Sequence, residues 1–182
     1  MDNPSAPAGK AHKYARVERE RRWLLAAPPD LSAAVAETEI EDVYFKGTRL
    51  RLRRMTDKRG ASPPIYKLAQ KIPSAGPAGL ITNTYVSAEE YDVLAQLKGD
   101  RIHKVRYSVP PFGIDVFLGE LHGLVLAEAE FDSDDAIADF PAPKGAVAEV
   151  TGDQRFTGGH LAVTAKAELA EQLAEFGIAL LG

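Results

Sequence analysis

The stretch Thr48-Arg49-Leu50-Arg51-Leu52-Arg53-Arg54-Met55 alternates strictly between arginine and leucine from Arg49 to Arg53. Side chains of a strand point to opposite faces with period two, whereas a helix would spread these residues around its axis. The stretch therefore reads as a strand with Arg49, Arg51 and Arg53 on one face and Leu50 and Leu52 on the other. Lys58-Arg59-Gly60 marks a hairpin turn, and Pro64 to Lys71 resumes as a strand with Lys67, Ala69 and Lys71 on a common face. A β-hairpin with one cationic face is the first element of the fold.

Working outward, Val17-Glu18-Arg19-Glu20-Arg21-Arg22-Trp23-Leu24-Leu25 lies in a strand candidate from about Tyr14 to Leu25. Glu18, Glu20 and Arg22 then share one face, and Val17 and Trp23 take the other with Arg19 and Arg21 between them. Trp23 reads as packing beneath a covering segment, and Arg19 and Arg21 as exterior. Two carboxylates beside a cation are costly in an apolar core but suit a site for a metal and an anion.

Downstream, the strand Ile102 to Val109 puts Lys104 and Arg106 on one face, Phe112 to Leu118 contains Asp115, and Leu124 to Phe131 places Glu128 and Glu130 together. Further strands fall near Ile40 to Lys46 and Leu80 to Val86, with a Pro/Gly loop from Pro73 to Gly79. Tyr44, in the first of these, could face the charged side, but a half-buried strand tyrosine is the expected reading. An Ala-rich turn of helix is expected from Asp30 to about Glu37. Ser87-Ala88-Glu89-Glu90 is a capping box that opens a helix ending at Gly99. Ser133-Asp134-Asp135 caps a short helix to about Asp139, and Glu149 to Phe156 is turn-like. A last helix from about Leu161 to Leu181 carries the apolar stripe Leu169, Leu173, Phe176 and Leu180.

About eight strands in hairpin succession make an antiparallel sheet that curls or closes, of α+β class and mainly β. The charged faces then either meet solvent or line the interior of a barrel whose apolar outside is covered by helices.

Composition excludes several classes. The chain has 182 residues, 45% hydrophobic and 26% charged, with net charge −4 and no cysteine. It is long enough for one sizeable core, and disulfides, thiolate metal sites and cysteine nucleophiles are ruled out. The acidic balance argues against a general nucleic-acid surface. No apolar run reaches the roughly 18 residues of a membrane span, and the N-terminus lacks a signal-peptide core, so a cytoplasmic protein is expected. Residues 1–13 are rich in Pro, Ala and Gly and are expected to be a disordered tail. The four histidines, His12, His103, His122 and His160, are scattered without metal-ligand spacing.

The charges taken together point to chemistry. Glu-x-Glu occurs at Glu18/Glu20 and Glu128/Glu130, and Arg51, Arg53, Lys71, Lys104 and Arg106 supply cations on neighbouring strands. Converging carboxylates suit a hard divalent ion such as Mg²⁺ or Mn²⁺, and arginine forks and lysine ammonium groups suit phosphoryl oxygens.

In this ordered set the chain resembles the CYTH-domain proteins of the triphosphate tunnel metalloenzyme family. That family's first-strand signature is Glu-x-Glu-x-Lys, and Glu18-Arg19-Glu20-Arg21-Arg22 stands in its place. The likeness continues through Leu50-Arg51-Leu52-Arg53, Lys71, Lys104-Val105-Arg106-Tyr107-Ser108 and Ile114-Asp115-Val116-Phe117. It runs on through Glu128-Ala129-Glu130-Phe131 and Glu149 to Phe156, so that it spans residues 14–162, leaving 163–182 as a C-terminal amphipathic helix.

The resemblance implies an eight-stranded antiparallel closed β-barrel, a tunnel, that holds a small-molecule triphosphate and no nucleic acid or membrane. It implies Glu18, Glu20, Glu128 and Glu130 around Mg²⁺ or Mn²⁺. Arg51, Arg53, Lys71, Lys104, Arg106 and Arg155 would be on phosphates, and Asp115 would orient an arginine. Glu18, Glu20, Arg22 and Lys104 would form the catalytic centre. The implied reaction is hydrolysis of a triphosphate, inorganic tripolyphosphate first.

Arg22 departs from the family lysine: it keeps the charge but cannot lose a proton at physiological pH. A non-catalytic module that binds polyphosphate or nucleotide triphosphates is therefore the alternative. An adenylate cyclase of the same fold comes third, because no residue for adenine or ribose can be named. The strand near Thr82-Asn83-Thr84-Tyr85 is also less charged than in relatives. Arg49 and Lys67 either extend the basic lining or do not. The last helix packs on the barrel or makes a homodimer contact.

Overall fold

The computed structural model describes residues 14–72 and 78–180. The tail read at 1–13, most of the loop read from Pro73 onward and the last two residues of the expected final helix lie outside the described residues.

Nine strands follow in order: β1 (Arg16–Leu25), β2 (Ala36–Phe45), β3 (Leu50–Asp57), β4 (Ile65–Ile72), β5 (Ala78–Val86), β6 (Gly99–Val109), β7 (Phe112–Phe117), β8 (Val125–Glu130) and β9 (Ala146–Glu149). The helices are α1 (Ala88–Leu94), α2 (Asp135–Ala138), α3 (Gly158–Leu161) and α4 (Lys166–Ala174). The sheet runs β5-β4-β3-β2-β6-β7-β8-β1, and pairing of β5 with β1 closes it into an eight-stranded antiparallel barrel. The closure is short, from Arg16↔Ile81 to Arg19↔Ala78. β9 pairs with β1 further along, opposite Trp23, Leu24 and Leu25. β1 thus holds β8 on one edge and shares its other edge between β5 and β9.

Alternation sorts the residues of each strand between inside and outside, and the outside is apolar where something covers it. Val43, Phe45 and Leu52 are buried with Tyr91 of α1. Leu25, Ile114, Val125 and Ala127 form a second outer cluster with Leu31 and Phe112. Trp23, 1% exposed, packs edge-on against Phe112 and also beside Phe140, and the Arg21 guanidinium lies 4.9 Å from its ring centroid. Arg21 reaches Glu149 and Arg19 reaches Asp134, so both are exterior as the alternation requires.

The third cluster is different. Leu24, Ile102, Phe117, Leu124 and Leu126 of the barrel pack with Phe156, Leu161, Leu169, Leu173 and Ile178 of the C-terminal segment. Inward residues change character along the strands: Glu18, Glu20, Arg22, then Leu24 on β1; Glu130, Glu128, then Leu126 on β8; Arg106, Lys104, then Ile102 on β6. One half of the barrel is therefore a charged cavity, and the other half is an apolar core stoppered by the chain's C-terminal segment.

Four local expectations are corrected. No helix forms at 30–37: Asp30 accepts from the Ser32 amide at 2.9 Å in a turn, and Ala36 and Glu37 already pair with Ser108 and Tyr107. Long-range ladder bonds override the helical preference of alanine there. The helix after Ser87 has both halves of its capping box but stops at Leu94. Gly99 instead starts β6, where an added Cβ would lie 2.6 Å from Val43 Cγ1. Part of the segment read as turn-like is strand, since Glu149 ends β9, and a 3₁₀ turn spans Gln154–Phe156. The last helix is broken into α3 and α4, with the Thr164 hydroxyl donating to the His160 carbonyl at 3.0 Å between them. Among the described residues no helix is long and apolar enough to cross a membrane.

Candidate active site

The charged half of the barrel encloses a cavity of about 550 Å³, measured out to solvent. Its wall is built by alternation: β1 gives Glu18, Glu20 and Arg22; β2 gives Asp42 and Tyr44; β3 gives Arg51 and Arg53; β4 gives Lys71; β6 gives Lys104 and Arg106; β8 gives Glu128 and Glu130. Asp115 of β7, 0% exposed, lies behind Lys104 and Arg106. Phe156, Gly158, Leu161, Ile102, Phe117 and Leu126 close the inner end. The resemblance implies a tunnel; in this chain the C-terminal segment stops that end.

The cations are held by carboxylates across the strands. Arg22 bridges two of them, its Nη2 donating to Glu20 at 2.5 Å and its Nε to Glu128 at 2.9 Å. Its backbone amide donates to the Thr151 hydroxyl at 3.0 Å, which ties β1 to the segment after β9. Arg106 binds both oxygens of Asp115, through Nε at 2.6 Å and Nη2 at 2.6 Å, and also touches Glu128. Lys104 Nζ donates to Asp115 and lies 5.2 Å from the Phe117 ring centroid. Lys71 Nζ is 2.5 Å from Glu18. Arg53 and Asp42, directly opposite in the β2–β3 ladder, form a two-bond fork at 2.7 Å each. Arg51 Nε is 3.7 Å from the same carboxylate and, although buried, has no hydrogen-bond partner.

These neighbours set the protonation preferences. Burial pushes Asp42 up, but the charge and hydrogen bonds of Arg53, with Arg51, outweigh it and bring the carboxyl to about 2. Burial likewise opposes Glu128, yet Arg106, Lys104 and Arg22 hold it well below the carboxylate range. Glu20 goes the other way: burial and then the Glu128 charge raise it, more than Arg22 and Lys71 lower it. Lys104 is lowered by burial, against the pull of Asp115. The Tyr44 phenol is pushed up to about 12 by burial and by Asp42, so it stays protonated.

A metal would find its ligands here in kind, since four glutamates line one cavity. Glu20 keeps a raised pKa in spite of its pair with Arg22, and a further cation beside it would lower that again. The glutamates do not converge in this structure: among the described residues no group of three or more His, Cys, Asp or Glu side chains is close enough to share an ion. Glu18, Glu20 and Glu128 are engaged by Lys71, Arg22 and Arg106 instead.

The site expectations divide as follows. Glu18, Glu20, Arg22, Arg51, Arg53, Lys71, Lys104, Arg106, Glu128 and Glu130 all line the cavity, and Asp115 supports two of them. Arg155 is elsewhere: it pairs with Asp153 at 2.8 Å and Glu175 at 2.8 Å, outside the lining. Arg49 is exposed beside the β2–β3 turn, and Lys67 lies over the exposed Tyr85 ring at 5.3 Å, so neither extends the lining. Sequence reasoning missed Asp42. The available signal was its alternation with Tyr44 and its place one hairpin from Arg51 and Arg53. Tyr44, expected as a half-buried strand tyrosine and not as part of the site, lines the cavity.

No family model matches the chain. The inorganic triphosphatase of Nitrosomonas europaea is 42% identical over 158 residues, which covers 81% of this chain and 97% of that protein. A crystal structure of an inorganic triphosphatase superposes with a TM-score of 0.53 at 26% identity, over 81% of this chain and 95% of that one. A crystal structure of a hypothetical protein gives 0.54 at 27% identity, over 81% and 98%.

Proposed function

Because this chain belongs to the CYTH-domain triphosphate tunnel metalloenzyme family, we propose that it hydrolyses a triphosphate, inorganic tripolyphosphate first. The observation that carries this reading is the set of cations Arg22, Arg51, Arg53, Lys71, Lys104 and Arg106 on one cavity wall, with the buried Arg51 Nε–H left without a hydrogen-bond partner. An unsatisfied buried donor costs roughly 1–3 kcal/mol, and a phosphoryl oxygen relieves it.

The substrate's phosphoryl groups exchange with the carboxylates now bound to the cations. Arg106, Lys104, Lys71 and Arg22 each turn one N–H from a glutamate or aspartate to a phosphoryl oxygen, while Arg51 binds from β3 with Arg53 beside it. Freed glutamates Glu18, Glu20, Glu128 and Glu130 would hold Mg²⁺ or Mn²⁺. When bound, such an ion supplies charge neutralisation and an activated water for attack on phosphorus. Asp115 keeps Arg106 and Lys104 aimed inward. Lys104 Nζ, lowered by burial, is the cavity group suited to give or take a proton at the phosphoryl oxygens. The apolar inner end excludes bulk water from one side of the reacting chain.

The test is phosphate release from inorganic tripolyphosphate with Mg²⁺ or Mn²⁺, beside nucleoside and thiamine triphosphates. Turnover should fall by orders of magnitude in Glu20→Ala, and no release from any triphosphate at any metal concentration refutes the reading.

Arg22 favours a second reading, a module that binds triphosphates without cutting them. Its fork ties Glu20 and Glu128 together, a bridge one lysine ammonium makes less readily. That reading expects salt-sensitive binding without turnover and a gain of activity in Arg22→Lys. Robust turnover by the unaltered chain eliminates it.

A further inference from the structure

Arg51 and Arg53 differ by one turn of the strand alternation, face the same cavity and share one carboxylate, yet they are not equivalent. Arg53 spends Nε and Nη2 on the two oxygens of Asp42, at 2.7 Å each. Arg51 stands 3.7 Å from that carboxylate, beyond hydrogen-bond distance, with its Nε–H unpaired and its side chain 9% exposed. Asp42 is itself 2% exposed and sits in register opposite Arg53. A single carboxylate can accept one guanidinium fork fully, so geometry gives the fork to the ladder partner.

On the reading that the cavity takes a triphosphate, we propose that Asp42 divides the work between the two arginines. Asp42 is a positioning residue that locks Arg53 as a buttress and leaves Arg51 as the phosphoryl anchor. Two like charges held two positions apart on one strand repel, and the buried carboxylate lets them stand together before a ligand arrives. The division also sets direction: the anchored phosphoryl group lies toward β3 and the stoppered end, where Arg51, Tyr44 and Gly158 meet.

The experiment measures binding of inorganic tripolyphosphate by calorimetry in a chelator, so that no turnover consumes the probe, with thermal unfolding alongside. Arg51→Lys should weaken binding at least tenfold while the unfolding midpoint moves little. Arg53→Lys should weaken binding less than threefold while the midpoint falls. In an Asp42→Asn background the released Arg53 joins the ligand, so Arg53→Lys there should now weaken binding at least tenfold. A purely structural Asp42 would shift midpoints without changing that ratio. Equal losses from the two arginine variants, a larger loss from Arg53→Lys, or an Arg53 effect identical in both backgrounds overturns the proposal. Absence of binding by the unaltered chain overturns it as well. Failure of phosphate release, with the asymmetry intact, counts only against hydrolysis.

Discussion

Replacing Arg22 by methionine tests whether the cross-strand ion network holds the barrel wall together. Methionine keeps much of the side chain's length and apolar stem but removes the guanidinium. Arg22 is 8% exposed at the side chain and donates to Glu20 at 2.5 Å and to Glu128 at 2.9 Å. A hydrogen bond to a charged group contributes roughly 1.5–3 kcal/mol, so two give about 3–6. Glu128 keeps Arg106, which places its share at the low end, whereas Glu20 loses its guanidinium partner beside the Glu128 charge. The expected loss is about 3–5 kcal/mol, the range for breaking a buried pair from one side. In a chain of 182 residues each kcal/mol moves the midpoint by roughly 2–4 °C, so a fall of roughly 6–20 °C is expected. Scanning calorimetry at neutral pH and low salt reads it directly. A midpoint within about 2 °C of the parent would show that the network contributes nothing net, and the account of the wall given above would be wrong.

Acid unfolding provides a separate check. Asp42 has its folded pKa lowered from 3.8 to about 2, so its contribution is complete above the unfolded value and is lost as pH falls through the folded one. The stability advantage of the parent over Asp42→Asn should shrink by about 2 kcal/mol between pH 5 and pH 2 in urea titrations, and a constant difference contradicts the assignment. Gly158→Ala would set a Cβ 2.0 Å from the Tyr44 hydroxyl, so a cost of about 1–3 kcal/mol and a raised KM for tripolyphosphate are expected from a displaced ring. A chain ended after Thr164 loses Leu169, Leu173 and Ile178, each at most 5% exposed, and should show no cooperative melting transition. Arg155→Ala should leave KM within about twofold and the unfolding midpoint almost unchanged, because its pairs with Asp153 and Glu175 are at the surface and screened by solvent. A tenfold rise in KM would put Arg155 back among the phosphate ligands.

Sequence by itself determined which residues share a face of each strand. Period-two alternation is a local property of a strand, so Arg51 and Arg53, Lys104 and Arg106, and the two Glu-x-Glu pairs could be assigned to faces without knowing what those faces met. The ordered motifs then gave the barrel and its strand count by resemblance. Helix ends were less legible: Ala36 joins β2 because β6 offers its backbone partners, and those partners are more than sixty residues away. Only the tertiary structure decided the pairing of charges. Asp42 stands opposite Arg53 because β2 and β3 take one register out of those the hairpin allows, and that register is fixed by packing on both faces. Arg155, placed on phosphate by the resemblance, ends at the surface because the 3₁₀ turn at Gln154–Phe156 sends Phe156 inward and its neighbour out. The stopper at the inner end rests on Leu161, Leu169 and Leu173 meeting Leu24 and Leu126, contacts whose partners lie far apart along the chain and carry no local signal.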